Sequence, residues 1–105
     1  MLIVLGSVLA RSETFEEMQR LSREHVERSR VERGCLSHAV HVDLDNPLRL
    51  VFIERWTDWK DLGAHFRVPA SVAFVQAMGR LAAAPAEMNI YEATPSAPPQ
   101  AAASR

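Results

Sequence analysis

Four stretches of the chain carry the hydrophobic patterns of β-strands. The first, Leu2–Ala10, is a nearly continuous apolar run, which is typical of a strand covered on both faces and therefore central in its sheet. Two further strands are predicted at Cys35–Asp43 and Leu48–Trp56, and the turn-forming segment Leu44–Pro47 between them has hairpin length. A fourth strand is predicted at Ala86–Ala93. The pattern therefore predicts four strands, two of which form an antiparallel hairpin.

Two segments between these strands carry helical patterns. The first begins at Thr14–Glu17, which matches a capping box, and is predicted to run to about Glu32. The second begins after Thr57 and Asp58, which can cap a helix, and it continues from Pro69, a residue that suits the first turn of a helix. We therefore expect two helical regions, the second of them in two parts.

The resulting order of elements is β-α-β-β-α-β, which indicates an α+β, ferredoxin-like fold with an antiparallel sheet. This domain is predicted to span residues 1–93. Residues 94–105 are rich in Pro, Ala and Ser without a large apolar side chain, and we expect a disordered tail. Because two helices cover only one face of a four-stranded sheet, we expect a second copy of the chain on the other face, giving a homodimer through the open sheet face.

The two faces of the hairpin depend on where it closes. His38 and His41 are three residues apart on one strand and therefore lie on opposite faces, and without a cluster of zinc-like spacing we expect no metal site. The expected faces of the hairpin follow if Asp43 pairs with Leu48. The first face then carries Cys35, Ser37, Ala39, His41, Leu50, Phe52, Glu54 and Trp56. The second face carries Leu36, His38, Val40, Val42, Val51, Ile53 and Arg55.

Composition and charge exclude several classes of protein. The 105 residues suffice for one domain, and 12 basic against 13 acidic residues give a net charge of −1, so no nucleic-acid or anionic-lipid partner is indicated. The single cysteine, Cys35, excludes an intrachain disulfide, and we expect a cytoplasmic protein. The apolar run at the start of the chain is shorter than the about 18 residues that a membrane helix needs, so no membrane partner is expected.

The first predicted helix turns an unusually polar stripe inward. Phe15, Met18, Ser22, His25 and Ser29 share this stripe at the helical repeat. His25 could accept a proton from a bound phenol, and the small Ser22 would leave space for a ligand. A histidine on an apolar face is more often a structural residue, and the pattern leaves both interpretations open.

Several segments together resemble the antibiotic biosynthesis monooxygenase domain family, including its quinol monooxygenase-like members. They are Glu32–Leu36, the hairpin leading into Phe52–Trp56, and the pair His65-Phe66 on the following helix. The resemblance covers residues 1 to about 93. It implies a dimeric α/β barrel with a pocket in each subunit between helices and sheet. It also implies oxidation of an anthrone or a quinol by molecular oxygen, with no metal or other cofactor.

The resemblance carries over to individual residues only in part. Trp56 matches the tryptophan that lines the pocket of anthrone-oxidising members, whereas Phe52 stands where those enzymes carry an asparagine. The positions at which haem-degrading members carry asparagine, tryptophan and histidine hold Ser7, His65 and Val75, so haem degradation is not expected. Trp56 would therefore stack on an aromatic substrate, as the resemblance implies.

These observations predict a cofactor-independent monooxygenase that acts on a quinol or a polycyclic, anthrone-like aromatic. We expect His25 or His65 to handle the proton, and Glu54 to act as a base or as a buried partner of an arginine. Trp56, Phe52, Met18 and Phe66 are the expected apolar walls. Two alternatives are a noncatalytic dimeric protein that binds an aromatic or lipid-like ligand, and an isomerase or cyclase that transfers a proton without oxygen.

Overall fold

The computed structural model describes residues 1–99 and has the predicted α+β, ferredoxin-like architecture. The second helical region is two helices, as the pattern predicts, and every strand lies within two residues of its expected bounds. The elements are β1 (Leu2–Leu9), α1 (Phe15–Ser29), β2 (Cys35–Val42), β3 (Arg49–Trp56), α2 (Trp59–Arg67), α3 (Pro69–Leu81) and β4 (Glu87–Glu92).

The four strands form one antiparallel sheet in the order β2-β3-β1-β4. The apolar β1 lies between β3 and β4, which confirms the expectation that it is central. Leu2, Val4 and Val8 of this strand are buried beneath the helices, because side chains two residues apart share a face. The sheet therefore has one face packed on helices and one face without them in the described residues.

The β2–β3 hairpin corrects the predicted register by one residue. Asp43 pairs with Arg49, and the Leu48 amide donates to Asn46 Oδ1 at 3.2 Å in a local turn. Because the turn takes up the Leu48 amide, it cannot close the hairpin against Asp43, and the shift inverts β2 relative to β3. His38, predicted to face away from Glu54, lies directly opposite it.

The corrected register gives new faces to the hairpin. The helix-covered face carries Cys35, His38, Val40, Val42, Leu50, Phe52, Glu54 and Trp56, and the open face carries Ser37, Ala39, His41, Val51, Ile53 and Arg55. An irregularity in β2 between Cys35 and Ser37 absorbs one residue, so Cys35 still pairs with Trp56 as expected.

Both ends of α1 differ from the prediction. The capping box is wrong: the Thr14 hydroxyl donates to the Leu81 carbonyl and accepts from the Arg11 amide rather than capping the helix. The helix ends at Ser29 instead of about Glu32, because a turn follows in which the Glu32 amide donates to the Ser29 carbonyl at 3.0 Å. This turn brings Glu32 toward the helix-covered face of the sheet.

The core consists of two clusters that flank the polar side chains of α1. The larger one joins β1, α1, β3 and α3, and the smaller one comprises Leu2, Val4, Trp56 and Leu62. Ser22, His25 and Ser29 are buried between them, as the inward stripe predicts. Buried polar side chains require hydrogen-bond or ionic partners. This part of the interior therefore does more than fill space with apolar side chains.

The open face of the sheet carries large apolar side chains. Leu5 and Ile53 are neighbours across β1 and β3 and are each 40% exposed, and Tyr91 on β4 is 50% exposed. Residues 94–99 are exposed and have no regular secondary structure, and the rest of the predicted tail, 100–105, lies outside the described residues. None of the helices found in residues 1–99 is long and apolar enough to cross a membrane.

Replacing Gly34 should test the turn between α1 and β2. Gly34 has a φ of 82°, and a Cβ there would collide with the Asp61 side chain. We expect Gly34→Ala to lower the free energy of unfolding by at least about 2 kcal/mol in urea titrations. Gly79→Ala is the matched control, since a Cβ at Gly79 meets no atom of residues 1–99 within 4 Å and should be neutral or stabilising by up to about 1 kcal/mol. Equal effects would contradict this account of the turn.

Candidate active site

A cavity of about 580 Å³ lies between the sheet and α3, on the helix-covered face. This volume is within the range of small-molecule sites, which is about 300–1,000 Å³. Its walls include the aromatic rings of Phe52, Phe66 and Phe74, together with the polar side chains His25, Glu54 and His65. An aromatic cavity with a few convergent polar groups suits a flat, largely apolar ligand that carries a hydroxyl or carbonyl group.

The Glu54 carboxylate lies at the inner end of this cavity, on β3. Its Oε1 accepts a hydrogen bond of 2.9 Å from Trp56 Nε1, and it lies 3.2 Å from His38 Nε2 and 4.0 Å from His65 Nε2. Burial acts to raise the pKa of Glu54. The His38 imidazole, followed by Trp56 and His65, outweighs burial, so the pKa lies below its ordinary value and the buried group is a carboxylate at neutral pH.

His65, in the last turn of α2, is oriented by a second carboxylate. Its Nδ1 lies 2.8 Å from Glu32 Oε1 and both side chains are largely buried. Because a carboxylate can only accept, Nδ1 carries the hydrogen and Nε2 presents its lone pair on the side of Glu54 and the cavity. The arrangement is that of an imidazole positioned to accept a proton at Nε2.

His25 has a different environment, although it also lines the cavity. Its ring stacks on Phe74, with centroids 4.0 Å apart and an angle of 3° between the planes, and its Nδ1 has no hydrogen-bond partner in residues 1–99. Burial, followed by the neighbouring His38 and His65, lowers its pKa to about 3. His25 is therefore neutral at pH 7 and a weak proton acceptor, which makes His65 the better candidate of the two predicted bases.

The match of this chain to known proteins decides its family. The family model described as antibiotic biosynthesis monooxygenase matches residues 1–77, which include β1 to β3, α1, α2 and most of α3. The chain belongs to the antibiotic biosynthesis monooxygenase family. The predicted resemblance is confirmed.

Similar proteins support the family assignment over nearly the whole fold. An uncharacterized protein from Synechocystis, sll1783, is 33% identical over 91 residues; the match covers 87% of this chain and 62% of that protein. A solved antibiotic biosynthesis monooxygenase is 28% identical to this chain and superimposes on it with a TM-score of 0.84. The match covers 90% of this chain and 100% of the solved one. A structure from Deinococcus radiodurans that carries the family's name shares the fold, with 24% identity and a TM-score of 0.89. The match covers 95% of this chain and 99% of that one.

In this family member, five of the eight predicted site residues line the cavity: His25, Phe52, Glu54, His65 and Phe66. The other three are Met18, Ser22 and Trp56, which are fully buried and do not line it. Trp56 packs with Leu2, Val4 and Leu62 behind the cavity wall, and it contacts the site through its hydrogen bond to Glu54. The structure therefore gives Trp56 no open surface on which a substrate could stack.

Three residues that matter here escaped the sequence analysis. Glu32 was predicted to end a helix and begins a segment of the family resemblance, but it was given no role in the site; it binds His65. His38 was predicted on the other face from Glu54, and it approaches Glu54. Phe74 stacks on His25. The Asp-Asn-Pro turn held a usable signal for His38, because an Asn side chain that bonds to the backbone two residues on shifts the point at which a hairpin closes.

The buried His25 should make stability depend on pH. Its pKa is about 3 when folded and 6.5 as an ordinary histidine, so its contribution is fully present above pH 6.5 and is lost as the pH falls toward 3. We expect a loss of about 2 kcal/mol between pH 8 and pH 5, measured by urea unfolding with EDTA present. His25→Phe should remove this part of the slope, whereas His41→Gln, at an exposed histidine, should keep it. An unchanged slope in His25→Phe would show that His25 does not carry the effect.

Proposed function

We propose that this chain is a monooxygenase that oxidises an electron-rich quinol or an anthrone-like polycyclic aromatic with molecular oxygen. The observation that carries the proposal is the cavity itself, whose walls contain three phenyl rings and a histidine paired with a carboxylate. An electron-rich phenolate or enolate can reduce oxygen without a further cofactor. The protein then has to bind the ring, take its proton and exclude water.

Proton removal falls to His65 in this proposal. The substrate proton passes to His65 Nε2, and the resulting imidazolium is stabilised by Glu32 on Nδ1 at 2.8 Å and by the Glu54 carboxylate 4.0 Å from Nε2. Glu32 is a positioning residue, because it acts through His65. The low pKa of His25 leaves that ring as a neutral wall of the cavity.

The oxidation itself balances without an added reductant. The substrate anion gives one electron to oxygen, the two radicals combine at carbon, and the hydroperoxide that forms takes up the proton held by His65. Loss of water then gives the product, so that a CH₂ group and O₂ become a C=O group and H₂O. A largely apolar cavity favours this sequence, because it keeps bulk water away from the reactive intermediates.

Oxygen uptake with a panel of dihydroquinones and anthrones tests the proposal. In EDTA, we expect the chain to consume oxygen faster than the substrates autoxidise. We expect His65→Gln to lower kcat/KM about 10²- to 10⁴-fold, the usual contribution of a general base. Glu32→Gln should lower it less, because the hydrogen bond can persist without the charge. His41→Gln, on the open face, is the matched control and should be unchanged.

The other outcomes of this experiment identify the alternatives. Uptake at the autoxidation rate, with ligands that still raise the melting temperature, would show a noncatalytic binding protein. Product without oxygen uptake would show an isomerase or cyclase. Uptake that survives His65→Gln in full would show that the proton goes elsewhere.

We also propose that two copies pair through the open face of the sheet. The exposed Leu5, Ile53 and Tyr91 support this, because side chains of this size on one flat face favour burial against a second sheet. The area is continuous across β3, β1 and β4, and a copy of the same face presents the same apolar side chains to it.

Sedimentation at micromolar concentration tests the pairing. We expect a dimer for the native chain and a monomer for the double variant Leu5→Lys, Ile53→Lys, since two charges cannot be buried at an apolar interface without partners. Val31→Lys is the control: it adds a charge at an exposed apolar residue between α1 and β2, outside the sheet, and should leave the dimer intact. A native monomer would rule out the pairing.

A further inference from the structure

We propose that His25, His38 and His65 form a binding site for a divalent transition-metal ion of the zinc type, with Glu54 as a fourth ligand. The proposal goes beyond the proposed oxygenation and does not depend on it; because both use the lone pair of His65 Nε2, the proposed oxygenation belongs to the metal-free chain. It rests on the convergence of three elements of the fold, since His25 lies on α1, His38 on β2 and His65 on α2.

The three imidazoles form a compact triangle. Their ring centroids are 5.3, 5.3 and 5.7 Å apart, and one nitrogen from each ring lies within 4.8 Å of the other two. All three residues are buried, with His25 5% and His38 2% exposed. Three neighbouring imidazoles give mutual repulsion if protonated and little attraction if neutral, so their proximity calls for a group that binds all of them.

Three nitrogens of this triangle are left without hydrogen bonds in the described residues. In residues 1–99, His25 Nδ1 and both nitrogens of His38 have no hydrogen-bond partner; the 3.2 Å approach of His38 Nε2 to Glu54 lacks the direction of a hydrogen bond. Each unsatisfied buried group costs about 1–3 kcal/mol, and proteins satisfy nearly all such groups. Coordination of a cation by these lone pairs would remove that cost.

The surrounding carboxylates match those of a metal centre. Glu32 Oε1 accepts from His65 Nδ1 at 2.8 Å, which is the usual way in which an outer carboxylate orients a ligating imidazole and leaves Nε2 free for the ion. Glu54 Oε1 lies 3.2 Å from His38 and 4.0 Å from His65, so it can supply an oxygen and a negative charge. Trp56 holds that carboxylate in place at 2.9 Å.

The donor set and the space select the class of ion. Three imidazoles and one carboxylate suit zinc, cobalt, nickel, copper or iron rather than magnesium or calcium, which prefer oxygen ligands alone. Ligand nitrogens around tetrahedral zinc lie about 3.4 Å apart, so the ligand atoms have to close by up to about 1.4 Å from the present 4.8 Å limit. Since His25, His65 and Glu54 line the cavity, an ion can reach them from it.

Cobalt titration of the untagged chain, after removal of metals with EDTA and of the EDTA by dialysis, tests the site. We expect one equivalent of Co²⁺ to bind and to give the visible absorption of a low-symmetry cobalt centre, and Zn²⁺ to displace it and raise the melting temperature. His38→Gln should weaken cobalt binding at least 100-fold. Glu32→Gln should weaken it about 10- to 100-fold through His65. His41→Gln is the matched control and should bind as the native chain does.

The outcomes separate this site from the proposed oxygenation, because the titration contains no substrate and the oxygen measurement contains EDTA. Absence of cobalt absorption or of one-to-one binding in the native chain would overturn the proposal, whatever the variants do. So would binding that survives His38→Gln in full, or that His41→Gln abolishes. Circular dichroism of each metal-free variant shows that a loss of binding is not a loss of folding.

Discussion

The register of the β2–β3 hairpin is the constraint on which the interior of this protein depends. The side chains of Asp43 and Asn46 bind backbone amides in the turn, and this local geometry fixes which residue of β2 faces each residue of β3. With His38 opposite Glu54, an imidazole and a carboxylate meet beneath the helices. A shift of one residue would place Ser37 or Ala39 there, and the buried Glu54 would lose the neighbour that does most to keep it ionised.

The polar interior is supported by elements that are distant in the sequence. Glu32 reaches His65 across 33 positions, and Glu54 binds Trp56 on its own strand. Each contact supplies a partner to a group whose burial alone would be unfavourable, so the network holds together as a unit rather than as separate pairs. The two hydrophobic clusters provide the stability that permits such an interior, because they contain the largest fully buried apolar side chains of the described residues, Trp56, Met18, Leu50 and Leu62.

Most of the fold follows from hydrophobic patterning, whereas the site follows from details that patterning does not contain. The apolar Leu2–Leu9 strand, Pro69 at the start of α3 and the inward stripe with His25 are all readable from the chain. The position of His38 depends on one hydrogen bond in a turn, and the role of Glu32 depends on where α1 ends. Trp56 shows a different limit: a match to a family pocket position does not say whether the ring faces the cavity or packs behind it.

The cavity wall beside β4 includes a short segment that lies between two points of attachment to the sheet. Ala83 donates to the Leu9 carbonyl, and Ala93 exchanges hydrogen bonds with Met1, so the chain is fastened to β1 at both ends of this region. Between Ala83 and the start of β4 at Glu87 lie Ala84, Pro85 and Ala86, which are exposed and line the cavity outside any strand. This short span pairs with no strand of the sheet. Its three side chains therefore shape the cavity wall without belonging to the sheet, so this part of the wall can vary in sequence at little cost to strand pairing.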